Sequence, residues 1–141
     1  MASESTSGIS ERARLFEPFI SLSLRKPPPV YFPGDELDCE FQIDAVGEGE
    51  VQAVEVSVLW YTEGKGDQDL GVHYFKRRQP ADAEDGNLRS LFRFQTTIPN
   101  SPLSYEGHIL KIRWCVRVRA FLRNGKEVFF EQPFQVGDVP P

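Results

Sequence analysis

From Leu110 to Ala120 the chain alternates, Cys115 being the one uncharged residue on the polar parity. Leu110, Ile112, Trp114, Val116, Val118 and Ala120 share one parity, and Lys111, Arg113, Arg117 and Arg119 take the other. A period of two places these sets on opposite faces of an extended strand, whereas a helix would scatter both around its axis. Such a segment needs a sheet with one buried face and one wet face, and the rest of the chain must supply that sheet.

The same period recurs. Ile20, Leu22 and Leu24 alternate with serines; Leu37, Cys39, Phe41 and Ile43 alternate with acids and Gln; Phe92, Phe94, Thr96 and Ile98 oppose Arg89, Arg93 and Gln95. Val51 to Thr62 is apolar on both parities, with Val54, Val56, Val58 and Trp60 on one and Val51, Ala53, Leu59 and Tyr61 on the other. That pattern predicts a central strand, or one whose second face a loop covers. Asp69 to Gln79 reads as a further strand, and Pro33-Gly34-Asp35, Gly47 to Glu50, Gly64 to Asp67, Pro80 to Asn87 and Pro99 to Gly107 read as turns and loops. About eight strands result, with no segment of helical period long enough to matter. Seventeen aromatics fit the same class, and Trp60, Phe92, Phe94, Trp114, Phe130 and Phe134 are the predicted core.

Parity also decides one hairpin. Asn124-Gly125 as a two-residue turn would pair Val118 with Glu131 and Arg119 with Phe130, mixing inward and outward side chains. A three-residue loop, Arg123-Asn124-Gly125 with a left-handed glycine, instead pairs Val118 with Phe130, Trp114 with Phe134 and Arg117 with Glu131. Pro133 then places the last strand at an edge, or bends it.

At 141 residues the chain suits one core. The division is a polar lead-in over 1–18, a single β-sandwich over 19–138 and a short tail over 139–141. Met1 to Ser10 lacks the apolar stretch of a signal peptide, and no run approaches a membrane span, so we expect a cytoplasmic protein without stable membrane insertion. A net charge of -5 argues against nucleic acid as a partner.

Cys39 and Cys115, with Trp60 between them, mimic the order seen in immunoglobulin domains. Parity places Cys39 on an apolar face and Cys115 on a polar one, which predicts one buried thiol, one surface thiol and no disulfide. A bridge would instead favour the alternative reading, an extracytoplasmic immunoglobulin-like adhesion or carbohydrate-binding module.

Three stretches, in order and at matching separations, resemble the arrestin fold. Pro28-Pro29-Val30-Tyr31-Phe32-Pro33-Gly34-Asp35-Glu36-Leu37 is similar to an arrestin strand that passes through a Pro-Gly-acid turn into the next strand. Val51 to Tyr61 resembles the long hydrophobic strand that follows. Ile98-Pro99 through Ser104-Tyr105-Glu106-Gly107 and then Leu110 to Val118 is similar to the arrestin pattern of a proline turn, a Ser-aromatic-acid-Gly element and a strand with alternating basics. The resemblance implies an all-β, antiparallel immunoglobulin-like sandwich of the arrestin type. It also implies a non-catalytic adaptor or scaffold without a cofactor. Arrestins and the related retromer subunit contain two such sandwiches, and this chain has length for one. Pairing with a second copy, as a homodimer, would restore the two-sandwich assembly.

Candidate sites are few. Lys111, Arg113, Arg117 and Arg119 form a basic stripe suited to a phosphate, an acidic headgroup or an acidic peptide, with Glu127, Glu131, Asp38 and Glu40 as available counter-charges. Pro28, Pro29 and Tyr31 satisfy the Pro-Pro-x-Tyr pattern read by WW domains, through which some arrestin relatives recruit ligases. Here Tyr31 falls inside a strand entry, so folding competes with recognition. His73 and His108 lie in no nucleophile or metal motif, although a small hydrolase would need one of them beside an acid. Asp82, Glu84 and Asp85 lack the ligand spacing of a calcium loop, and we expect no metal.

Overall fold

The computed structural model describes residues 17–25 and 29–138. Expectations for residues 1–16, for Pro28 and for the tail 139–141 lie outside the described residues. Nine strands follow one another among the described residues: β1 (Phe19–Leu24), β2 (Val30–Tyr31), β3 (Glu36–Asp44), β4 (Val51–Gly64), β5 (Leu70–Arg78), β6 (Phe92–Thr97), β7 (Tyr105–Glu106), β8 (Leu110–Leu122) and β9 (Glu127–Val136). These residues contain no α-helix; two short 3-10 turns, Pro80–Asp82 and Glu84–Gly86, shape the acidic loop.

The strands form two sheets. The smaller runs β1-β3-β6, and the larger runs β2-β9-β8-β4-β5 with β7 paired to β8. All pairings are antiparallel except β2 with β9, which is parallel and departs from the expected all-antiparallel sandwich. That exception follows from the chain path: β2 enters beside the end of β9, and Gln135 N–H and Gly137 N–H donate to the Pro29 and Tyr31 carbonyls.

The alternating residues form the interior as their parity requires. Leu37, Cys39, Phe41 and Ile43 of β3 face Val54, Val56 and Val58 of β4 and Trp114, Val116, Val118 and Ala120 of β8 in one core. Of the aromatics expected inside, Phe94, Trp114 and Phe134 are buried, while Trp60, Phe92 and Phe130 are only partly covered at its margins. Tyr31 and Phe41 take central places instead. Tyr31 meets Phe134 edge-on at 5.6 Å, and Tyr74 stacks on Phe94 at 4.9 Å, tying β2 to β9 and β5 to β6.

The β8–β9 hairpin has the register that parity demands: Val118 opposes Phe130, Trp114 opposes Phe134 and Arg117 opposes Glu131. Gly125 turns the loop at φ +85°, and the Leu122 N–H donates to the Lys126 carbonyl across it. At Pro133 no further described strand adjoins β9, since β2 pairs only with Gln135 and Val136.

Val51 departs from the expected face. A bulge at the start of β4 sets Val51 opposite Leu122 and Ala53 opposite Phe121, so Val51 joins the core cluster with Val54. An extra residue in one strand reverses the parity beyond it, which alternation alone does not reveal. A second bulge sets His73 and Tyr74 of β5 against Val58 of β4.

Candidate interaction surfaces

The outer face of the larger sheet carries the basic stripe, and every member of it has a carboxylate partner. Lys111 lies 3.7 Å from Glu106, and Arg113 lies 2.6 Å from Glu106 and 3.1 Å from Glu63. Arg117 donates to Glu131 at 2.7 Å, and Arg119 reaches Glu127 at 2.5 Å and Glu55 at 3.6 Å. Arg77 of β5 completes the lattice by donating to Glu55 at 2.6 Å. Five cations thus meet five carboxylates on a face with little net charge. Glu127 and Glu131 occupy their expected counter-charge positions. Asp38 and Glu40 do not, because β3 lies in the other sheet, where Asp38 binds Arg93 at 2.6 Å and Arg25 at 3.3 Å. Glu55, Glu63 and Glu106 take their place.

An apolar row crosses the middle of the same face. Val72, Leu59, Cys115 and Pro133 stand opposite one another on β5, β4, β8 and β9. Leu59 is only 1% exposed and Cys115 only 2%. Cys115 is therefore buried, not the expected surface thiol. Arg113 and Arg117 flank it at the neighbouring same-face positions of β8, and its thiol points toward Glu131 at 3.9 Å. Burial and the Glu131 charge push this thiol up to about 12, against a smaller opposing influence of Arg117. Burial, then Asp38 and Glu40, push Cys39 up to about 12 as well. Both cysteines are free, so the bridge that an extracytoplasmic immunoglobulin-like module would carry is absent.

The remaining sequence candidates are structurally occupied. Tyr31 is fully buried, so the folded chain does not present a readable Pro-Pro-x-Tyr ligand. His73 Nε2 lies 2.7 Å from the Thr97 carbonyl and 3.1 Å from Thr96 Oγ1, and its ring meets Trp114 edge-on. A carbonyl only accepts, so Nε2 carries the proton, and His73 straps β5 to β6 across the sandwich opening. His108 lines a shallow depression with Glu63, Gly64, Gly107, Ile109 and Lys111. In the acidic loop Asp82 accepts from the Gln79 N–H at 2.8 Å, closing its own turn. Among the described residues no group of three His, Cys, Asp or Glu side chains is placed to hold a metal ion.

Two apolar surfaces carry no signal in the alternation. At one end of the sandwich the turn after β2, the Ile98–Ser104 loop and the segment between β7 and β8 come together. Gly34 N–H donates to the Ile98 carbonyl, Ser104 N–H to Val136 and Gly137 N–H to Tyr31. This end exposes Phe32, Leu103, Tyr105 and Leu110, with Ile109 at 72% the most exposed large apolar side chain among the described residues. The second surface is β5, whose Leu70, Val72 and Phe75 are each more than half exposed. At the opposite end of the sandwich an open groove of about 510 Å³ is lined by Glu17, Pro18, Glu50 and the β8–β9 hairpin. No described helix is long and apolar enough to cross a membrane.

No protein-family model matches the chain, and no curated protein matches it in sequence. Among solved structures it is similar to Spo0M, a sporulation control protein from Bacillus subtilis, with a TM-score of 0.59 and 14% identity. The match covers 86% of this chain and 49% of that one, so the chain spans about half the length of Spo0M. The likeness establishes the fold: two packed sheets in an arrestin-like β-sandwich.

Proposed function

We propose that this chain is a non-catalytic protein-interaction module of the cytoplasm, an adaptor or scaffold that binds a protein rather than a nucleic acid. The observation that carries this proposal is the apolar loop end, where Phe32, Leu103, Tyr105, Ile109 and Leu110 are each exposed on connections at one end of the sandwich. Such a cluster costs solubility unless something covers it, and rigid strands beneath it hold the loops in place. Tyr105 lies over Gly107, where any Cβ would stand 2.5 Å from the ring, and Leu103 packs on Gly137. Tyr105 and Leu103 are therefore held in place against the backbone. Both free thiols fit a reducing compartment. The charged outer face serves as a second, weaker contact region, because a partner must displace ion pairs already made there.

Affinity capture from the native cell tests this assignment, with wild type beside a Phe32→Glu, Ile109→Asp chain and an Arg113→Glu, Arg117→Glu chain. The loop-end variant is expected to lose the captured protein while the charge-reversal variant keeps most of it. Retention by the loop-end variant would overturn the assignment, and loss confined to the charge-reversal variant would move the site to the outer face.

A further inference from the structure

The edge of β5 has an internal symmetry that the rest of the molecule does not use. Leu70, Val72, Phe75 and Arg77 lie on the outer face, since they oppose Tyr61, Leu59, Ser57 and Glu55 of β4. Gly71, His73, Tyr74, Lys76 and Arg78 lie on the inner face: Gly71 abuts Trp60, His73 meets Trp114, Tyr74 stacks on Phe94, and Lys76 and Arg78 lie over the Phe92 ring. Because the bulge puts both His73 and Tyr74 inward, the order of faces reads the same in both directions about their midpoint. A regular strand cannot do this around a point between two residues, because its neighbours always differ in face.

Charge follows the same symmetry with opposite sign. Asp67 and Asp69 precede the strand, and Lys76, Arg77 and Arg78 close it. Arg77 is held by Glu55 and Arg78 feels the charge of Asp82, while no carboxylate among the described residues lies within ion-pair distance of Lys76 or Arg78, and among the same residues Asp69 has no cationic partner. One side of β5 pairs with β4, and no described strand adjoins the other.

We infer that β5 is a self-pairing edge: two copies of this chain join antiparallel through β5 about a two-fold axis between His73 and Tyr74, making one continuous sheet. In that register Val72 faces Phe75 of the other copy on the outer side, Leu70 faces Arg77, and Asp69 faces Arg78. Leu70, Val72 and Phe75 from both copies then form one apolar strip, extending the buried Leu59 and Cys115 row across the axis.

The bulge supplies selectivity. Against an ordinary strand a bulge opposes two residues to one, and with the edge lysine it blunts pairing, a recognised protection of exposed edges. Against its own copy the count is two to two, so the register recovers on both sides. The edge thus rejects unrelated strands and accepts itself. A strand edge of this length buries on the order of 1,000 Å² in total, at the low end for specific interfaces, so a micromolar, reversible dimer is expected. This surface is separate from the loop end, and neither assignment depends on the other.

Sedimentation of the full chain from about 1 µM to about 1 mM should show the average mass rising toward twice that of one chain. Val72→Lys should hold it at one, with circular dichroism unchanged. Asp69→Arg should weaken association at least tenfold, and adding Arg78→Asp to it should restore most of the loss. Oxidising a mixture of Val72→Cys and Phe75→Cys chains should give a cross-linked pair, while Val72→Cys alone should not cross-link, since its copy lies too far off across the axis. A monomer at every concentration, a dimer indifferent to Val72→Lys, failure of the charge swap, or cross-linking of Val72→Cys alone would each overturn the inference. Loss of the partner captured by the loop end would bear on that other surface only.

Discussion

Gly71 is the position where one added methyl group tests the packing most directly. A Cβ built there would stand 2.2 Å from Trp60 Nε1, 2.4 Å from Cε2 and 2.7 Å from Cζ2. Non-bonded carbons prefer about 3.5–4.0 Å, so the indole must retreat by more than about 1 Å. It is a rigid ring held between β5 and its register partner Trp114, not the loose end of a flexible chain. Overpacking of this kind costs about 1–3 kcal/mol. Against it stands the smaller backbone freedom of alanine in the unfolded chain, a gain of about 0.4–1 kcal/mol, available because Gly71 does not occupy the left-handed region. The clash wins, and Gly71→Ala is expected to destabilise by about 1–2 kcal/mol in urea titration, with a shift in tryptophan emission. In a Trp60→Val background the clash is gone and only the entropic gain remains, so the same substitution should become neutral or stabilising. If Gly71→Ala costs as much without the indole as with it, the contact is not what requires glycine, and this account of how β5 seats on β4 is wrong.

Two further outcomes follow from the buried thiols and the hairpin. Ellman's reagent at pH 8 should find no fast-reacting thiol in the folded chain and two after denaturation; fewer than two would mean a disulfide. Because both thiols are raised from near 9 to about 12 on folding, the unfolded chain releases its protons first. Stability should therefore be level below about pH 9 as far as these groups act, then fall with a limiting slope of about 1.4 kcal/mol per pH unit for each thiol, read from urea midpoints between pH 8 and 10.5. Gly125 has open space around its missing Cβ and φ +85°, so Gly125→Ala should cost about 1 kcal/mol through backbone strain alone. Gly125→Asn should cost less, and equal losses would mean the loop does not hold its left-handed residue.

The hairpin shows what alternation makes legible. A strand read by period two fixes which residues share a face, and two such strands joined by a short loop have only one register that keeps faces consistent, so parity alone matches Arg117 to Glu131. The same rule fails wherever the count slips. Parity puts Val51 on the wrong face because a bulge at the start of β4 is invisible to it, and β5 has its apolar residues at 70, 72 and 75, an interval whose break marks the second bulge. Strand order is also absent from a local pattern. Glu55 and Glu63 are far from Arg119 and Arg113 along the chain and meet them only because β4 lies beside β8. The exposed loop end is hidden from the sequence for a related reason: Phe32, Leu103 and Ile109 come from three separate connections that only the assembled sandwich brings to one place.

That strand order gives the basic stripe a second physical role. β4 is apolar on both parities, and its outward Leu59 sits between Val72 and Cys115. Left open, this row would expose apolar surface in the middle of a solvated sheet. A guanidinium fixed by a carboxylate, as Arg117 is at 2.7 Å by Glu131 and Arg113 at 2.6 Å by Glu106, keeps its aliphatic stem near the sheet rather than extended into water. The cross-strand acids are what hold those stems down, since a lone arginine would extend into water to gain hydration and rotamer freedom. A partly exposed ion pair contributes little by its own Coulomb attraction, about 1 kcal/mol or less, yet it can fix a hydrophobic cover whose burial is worth more than the pair. Shortening a stem while keeping charge then differs from removing the charge, because Arg117→Lys breaks the planar fork that fits Glu131 while leaving the net charge of the face unchanged. Arg113 and Arg117, which first suggest a binding stripe, thus flank a thiol that is only 2% exposed at its centre.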